Sequence, residues 1–167
     1  MRKNGHTFSV ALGGISAALA VVIMSLGGMI PFSTFICPML SILILSFVLR
    51  KTGNRIALAW YGAVSILSLL LSPDKEAASM FLFLGYYPIL KPIMEKTRIR
   101  WLLKAILFNT AILLMYYVLI HIVGLEQVVQ EQEEMGVVMT IATLLLGNIT
   151  FFLLDRLLDK LHRKWKI

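Results

Sequence analysis

WLLKAILFNTAILLMYYVLIHIVG, residues 101–124, is an apolar run of 24 residues whose only charge is Lys104, near its start. As a helix rising 1.5 Å per residue it reaches about 36 Å, enough to cross the roughly 30 Å of a bilayer's hydrocarbon core. Working outward, the sequence repeats the pattern at 8–30, 34–49, 56–72, 77–93 and 136–155. Six such runs in 167 residues leave no room for a soluble domain. The expected fold is all-α: a polytopic membrane protein forming a six-transmembrane-helix bundle, one integral membrane domain over 1–167 with an amphipathic tail at 156–167. Hydrophobic residues at 59% and a mean hydropathy of +0.84 agree with this class. The first run follows Arg2 and Lys3 like a secretory signal, but about 23 residues exceed the length of a signal's apolar region, so it reads as a retained helix.

The charges give the runs a direction. Fifteen of the 16 Lys and Arg residues lie at the termini or in the alternate connections that would share a face with them. Arg50, Lys51 and Arg55 separate the second and third runs; Lys91, Lys96, Arg98, Arg100 and Lys104 separate the fourth and fifth; Arg156, Lys160, Arg163, Lys164 and Lys166 follow the sixth. Short basic loops stay in the cytoplasm, so both termini are expected there, in a multi-pass protein of the bacterial plasma membrane. The lone exception is Lys75, which shares the outer face with Asp74, Glu76, Glu126, Glu131, Glu133 and Glu134. The net charge of +7 is thus a topology signal. Its basic residues sit in turns that meet anionic lipid rather than on one aromatic-studded face, and no nucleic-acid partner is expected.

No catalytic constellation is present, and the chain does not read as an enzyme. His6, His121 and His162 are scattered over both faces without metal-ligand spacing, Cys37 has no second thiol, and no Walker A loop occurs. No metal or other cofactor is expected, and energy for any transport must come from elsewhere.

Several segments stand out. The stretch from Pro31 to Pro38 carries no charge and reads as a loop that either dips back into the bundle or folds over its outer mouth. Pro88 removes a backbone donor and crowds the carbonyl four residues earlier, which predicts a kink near Gly85, and Gly85-Tyr86-Tyr87-Pro88 fits either a helix ending at the headgroup level or a hinge. In the tail, Leu157, Leu158, Leu161 and Trp165 fall at helical spacing, which suits a helix lying along the inner leaflet.

Helix one is rich in small residues, Gly13, Gly14, Ser16, Ala17, Ala18 and Ala20, followed by Gly27 and Gly28. Gly13 with Ala17, Gly14 with Ala18 and Ser16 with Ala20 form three small-xxx-small pairs, suited to internal packing or to a subunit interface. Asn109 and Asn148 come out about 12 Å and about 10 Å from the cytoplasmic ends of their helices, close enough in depth to bond each other. Tyr116 and Tyr117 come level with Thr140 at about 22 Å, with Thr143 just below and Ser79 near in depth. His121 and the Asp74-Lys75-Glu76 triplet lie above them. Lys75, Ser79, Tyr116, Tyr117, His121, Thr140 and Thr143 therefore outline either a pocket for a small polar ring compound or an aromatic belt beneath solvated charges.

With these features the chain resembles the substrate-binding S components of energy-coupling factor (ECF) vitamin transporters. The resemblance covers the whole chain at the level of topology: six helices, both termini inside, and a first helix rich in small residues. Its motifs are loose, and the nearest matches to the family's Ala-xxx-Ala docking pair are Gly13-xxx-Ala17 and Gly14-xxx-Ala18. It implies a membrane-embedded specificity subunit of an ABC importer, binding a small water-soluble micronutrient at the outer face. Gly13, Gly14, Ala17 and Ala18 would then dock on the T component and, through it, on two ATPase subunits. No stretch matches a signature for a particular vitamin. A second class fits the same length and helix count, a non-transporting multi-span scaffold subunit of cell-envelope or cell-shape machinery. A stand-alone carrier fits less well, because the sequence shows neither inverted repeats nor paired midplane acids.

Overall fold

The computed structural model describes residues 3–26, 33–124 and 126–164. Arg2, Gly27, Gly28, Pro31, Phe32, Trp165 and Lys166 lie outside them, as do the side chains of His6, His162, Glu126, Glu131, Glu133 and Glu134. All the elements among the described residues are helical: α1 (Lys3–Ser25), α2 (Ser33–Thr52), α3 (Asn54–Leu71), α4 (Lys75–Leu84), α5 (Tyr87–Met94), α6 (Arg100–Val118) and α7 (Glu126–Lys164). A π-helical turn, Leu119–Val123, prolongs α6. Six of the resulting spans are long and apolar enough to cross a membrane, α4 and α5 together making the fourth. The protein is an all-α, six-span chain. It divides into two compact units, Met1–Glu95 and Lys96–Ile167.

In the first unit α1 packs on α2 and α3, while α4 and α5 pack on α2 and α3. Ser16, Ala20 and Met24, one helical turn apart, form the buried stripe of α1. There the Trp60 indole of α3 donates to the Ser16 hydroxyl at 3.0 Å, and Ser16 donates to the Gly13 carbonyl. The second half of the small-residue pattern thus receives a large aromatic neighbour, and Gly14 and Ala18 lie exposed on the opposite side.

Two segments of the first unit differ from their expected form. The stretch from 31 to 38 is not a loop where it is described: Ser33–Pro38 are the opening turns of α2, with Pro38 fully buried inside that helix. The 77–93 run bends at Gly85-Tyr86, where Pro88 predicts a kink, and continues as α5 rather than ending there; Tyr87 is completely buried instead of lying at a headgroup surface. Pro88, at the start of α5, has no N–H to donate to the Leu84 carbonyl and so opens the helix here, while Gly85 lets Tyr61 close on the bend. A Cβ at Gly85 would lie 2.5 Å from the Phe81 carbonyl oxygen and 2.8 Å from the Tyr61 ring, so only glycine lets the two approach. The Tyr61 hydroxyl donates to the Leu82 carbonyl, whose regular helical donor would be Tyr86, the residue at the break. Tyr61 also packs against Phe81 and Tyr86, with centroids 5.8 and 6.2 Å away, so the bend is held by rings on both sides.

The second unit is an antiparallel hairpin of α6 and α7. Phe108, Ala111, Ile112, Met115 and Leu119 supply the buried seam of α6 at helical spacing; Thr143, Phe151, Leu154 and Leu158 supply that of α7. Phe108 and Phe151 stack at 4.8 Å. The residues from 126 to 134 are helical rather than a loop, as Glu and Gln, good helix formers, favour. At Gly136 the backbone turns through φ 49°, ψ −117°, a conformation open to glycine and strained for other residues. Beyond it α7 runs to Lys164, so residues 156–164 continue the spanning helix instead of turning along a leaflet. Asp155 does not interrupt it, because its charge is matched inside the hairpin.

Candidate functional site

The α6–α7 seam can be followed from one end to the other. At the Arg100 end, the Lys104 ammonium lies 3.0 and 2.8 Å from the two carboxylate oxygens of Asp155, with both side chains at most 5% exposed. The Trp101 ring centroid is 5.2 Å from the same ammonium. Five residues further along α6 and seven back along α7, Asn148 donates to the Asn109 carbonyl oxygen at 3.0 Å and the reciprocal bond measures 3.4 Å. Each Asn amide also donates to the carbonyl four residues earlier, Ala105 or Leu144, so the pair is satisfied locally and glues the hairpin.

Past this pair the seam opens into a recess of about 120 Å³ lined by Ile112, Leu113, Tyr116, Ile120, Thr140, Thr143 and Leu144. Three of the seven residues expected from sequence, Tyr116, Thr140 and Thr143, meet here. The Thr140 hydroxyl donates back to the Gly136 carbonyl at 3.3 Å, a bond that ties the recess to the kink in α7. Thr143 is only 7% exposed, and its hydroxyl makes no hydrogen bond among the described residues. The walls are otherwise apolar, and no charged side chain lines the recess.

The other expected residues lie elsewhere. Tyr117, one residue and about 100° further round the helix, is 58% exposed and stacks on His121 at 4.6 Å. His121 Nδ1 lies 3.2 Å from the Tyr117 carbonyl, donor geometry for the Nδ1–H tautomer. Lys75, in the first unit, donates to the carbonyls of Leu69 (2.7 Å) and Leu70 (3.4 Å), so its charge caps the C-terminal end of α3. Asp74 caps α4, accepting from the Ala77 amide at 2.8 Å and from the Thr34 hydroxyl at 3.3 Å. Ser72 donates to the Met24 carbonyl at 2.8 Å. Ser79 is buried in α4 of the same unit. The Asp74-Lys75-Glu76 triplet, conspicuous in sequence, therefore includes two residues that join helix ends.

Charge counting does not reveal the Lys104–Asp155 pair, since it places both residues only at the basic-loop ends of their runs. The available signal was register: Asp155 follows Phe151 by four residues and Leu154 by one, which places it on the buried seam. No family model matches this chain, and neither a curated protein nor a solved structure is similar to it.

Proposed function

We propose that the chain is the substrate-specificity subunit of an ECF-type importer in a bacterial plasma membrane, taking up a small water-soluble micronutrient. The observation that carries this reading is the α6–α7 recess, where a tyrosine and two threonines line an otherwise apolar hollow. With the basic connections and both termini in the cytoplasm, the recess opens in the outer half of the membrane. The exposed Gly14–Ala18 edge of α1 is the docking face for a T component, and the ATPase subunits act through that component. Gly13 and Ala17, at the margin of the same face, are half-buried.

One dimension favours a second reading. At about 120 Å³ the recess is smaller than the about 300–1,000 Å³ of most small-molecule sites. It accordingly supplies one wall of a vitamin-sized site, or it is a packing hollow in a scaffold subunit whose small-residue face binds other membrane proteins.

A thermal-shift screen of the detergent-purified protein against vitamins, their precursors, nucleobases and amino acids separates the two. A specificity subunit gains about 2.7 kcal/mol at a ligand concentration one hundred times its dissociation constant. Tyr116→Ala and Thr143→Val are expected to weaken that ligand by about tenfold or more, the loss of about 1–2 kcal/mol per buried polar contact. A flat response across the panel favours the scaffold. For docking, Gly14→Leu and Ala18→Leu are expected to abolish co-purification with the T component while the isolated protein folds normally, since a Cβ at Gly14 meets nothing within 4 Å. Undiminished co-purification would remove α1 from the interface.

A further inference from the structure

The α6–α7 recess restricts what enters it by charge and by size. Ile112 and Leu113 of α6 and Leu144 of α7 make its apolar walls, while Tyr116, Thr140 and Thr143 bring hydroxyl groups from both helices. Among the described residues no charged side chain lines it. Of the two basic residues expected beside it from sequence, Lys75 is bound to the carbonyls of Leu69 and Leu70, and His121 stacks on Tyr117. An ionised carboxylate or phosphate entering here gives up its hydration without gaining a counter-charge, whereas a neutral polar edge loses far less and meets hydroxyls that both donate and accept. At about 120 Å³ the recess approaches the about 150 Å³ of an apolar cavity that holds one benzene ring, too small for two fused rings. Two departures from regular helix border it. Ile120 sits in the π turn that packs on α7, and Thr140 is tied to the carbonyl of Gly136, where α7 kinks. Such π turns recur at functional sites.

We infer that the part of the substrate entering this recess is one uncharged six-membered ring with a hydrogen-bonding edge. The inference rests on the reading of the chain as a specificity subunit. Equilibrium dialysis of the detergent-purified full chain, with detergent alone as the blank, tests it with free rings as probes. Benzamide is set against benzoate and pyrazinamide against pyrazinoate, pairs matched in shape and differing in charge, with hypoxanthine as the two-ring compound. At least one amide is expected to bind, its carboxylate partner to bind about tenfold or more weakly, and hypoxanthine to be refused. Thr140→Phe, which places a ring of the protein's own in the recess, is expected to abolish amide binding; Ile120→Trp takes its place should that variant fail to fold. Failure of both amides to bind, as for a hollow filled by lipid hydrocarbon, overturns the inference. So does equal affinity within a pair, hypoxanthine bound as tightly as the amide, or undiminished binding to the filled variant. If the free rings fail while the vitamin screen finds a ligand, the specificity-subunit reading stands and this inference falls; if neither finds one, both fall.

Discussion

Replacing Asp155 with Leu is expected to destabilise the protein by up to about 3–5 kcal/mol, the cost of breaking a buried ion pair, less what the Asp159 carboxylate, whose oxygen lies within 4.8 Å of that of Asp155, recovers as a counter-ion. The Lys104 ammonium reaches both carboxylate oxygens within 3.0 Å, and the two side chains are 5% and 3% exposed. The Trp101 ring, 5.2 Å away, offers a cation–π contact of about 1–2 kcal/mol, too little to replace the carboxylate. Removing both charges is a different experiment. Lys104→Met with Asp155→Leu trades an ion pair for apolar packing and is expected to recover most or all of the loss, since such exchanges are often neutral or stabilising by about 1–4 kcal/mol. Thermal unfolding of the two single variants and the double variant closes the cycle, and the Asp155→Leu drop should be on the order of 10 °C for a chain of this size. A single-variant loss below about 1 kcal/mol would mean that the Asp159 carboxylate, within 4.8 Å of that of Asp155, takes over as counter-ion to Lys104.

The parts of the molecule legible in sequence are those set by one-dimensional quantities. Apolar length gave the six spans, because a helix must satisfy its own backbone in lipid and its reach follows from residue count. Depth counting along two helices joined by a short connection paired Asn109 with Asn148 and brought Tyr116 level with Thr140, since equal depth in an antiparallel hairpin means near opposition. Azimuth around the helix was not legible. Tyr116 and Tyr117 have nearly the same depth, yet only the first lines the recess; the second stacks on His121 and is exposed. The same gap hid the Lys104–Asp155 pair, whose members were assigned to a side of the membrane rather than to a face of a helix. Lys75 was misleading for another reason. Its isolation among acids marked it as unusual, but its long side chain reaches back to the carbonyls of Leu69 and Leu70, a capping role that charge counting cannot reveal. In α1 the three small-residue pairs looked equivalent; the Trp60 indole on Ser16 distinguishes the buried one from the exposed Gly14–Ala18 edge.

Gly85→Ala is expected to cost about 1–3 kcal/mol or more, although it adds one methyl group to a chain already rich in alanine. The added carbon would lie 2.5 Å from the Phe81 carbonyl oxygen and 2.8 and 3.0 Å from two atoms of the Tyr61 ring. The carbonyl belongs to the backbone of α4 and cannot move without straightening the bend. The ring cannot swing away freely, because its hydroxyl donates to the Leu82 carbonyl and its face meets Phe81 and Tyr86. Relief therefore means either breaking the Tyr61 hydrogen bond or shifting α5, whose Tyr87 is fully buried. Gly62→Ala is the matched control. It sits inside α3 with nothing within 4 Å of its would-be Cβ, so the same methyl there is expected to stabilise by about 0.5–1 kcal/mol through lower unfolded-chain entropy. Opposite signs for the two substitutions in one thermal melt would show that Gly85 is required by contact rather than by helix propensity. If Gly85→Ala melts with the unsubstituted protein, the Tyr61 ring yields at little cost and the bend between α4 and α5 is an adaptable joint instead of a fixed one.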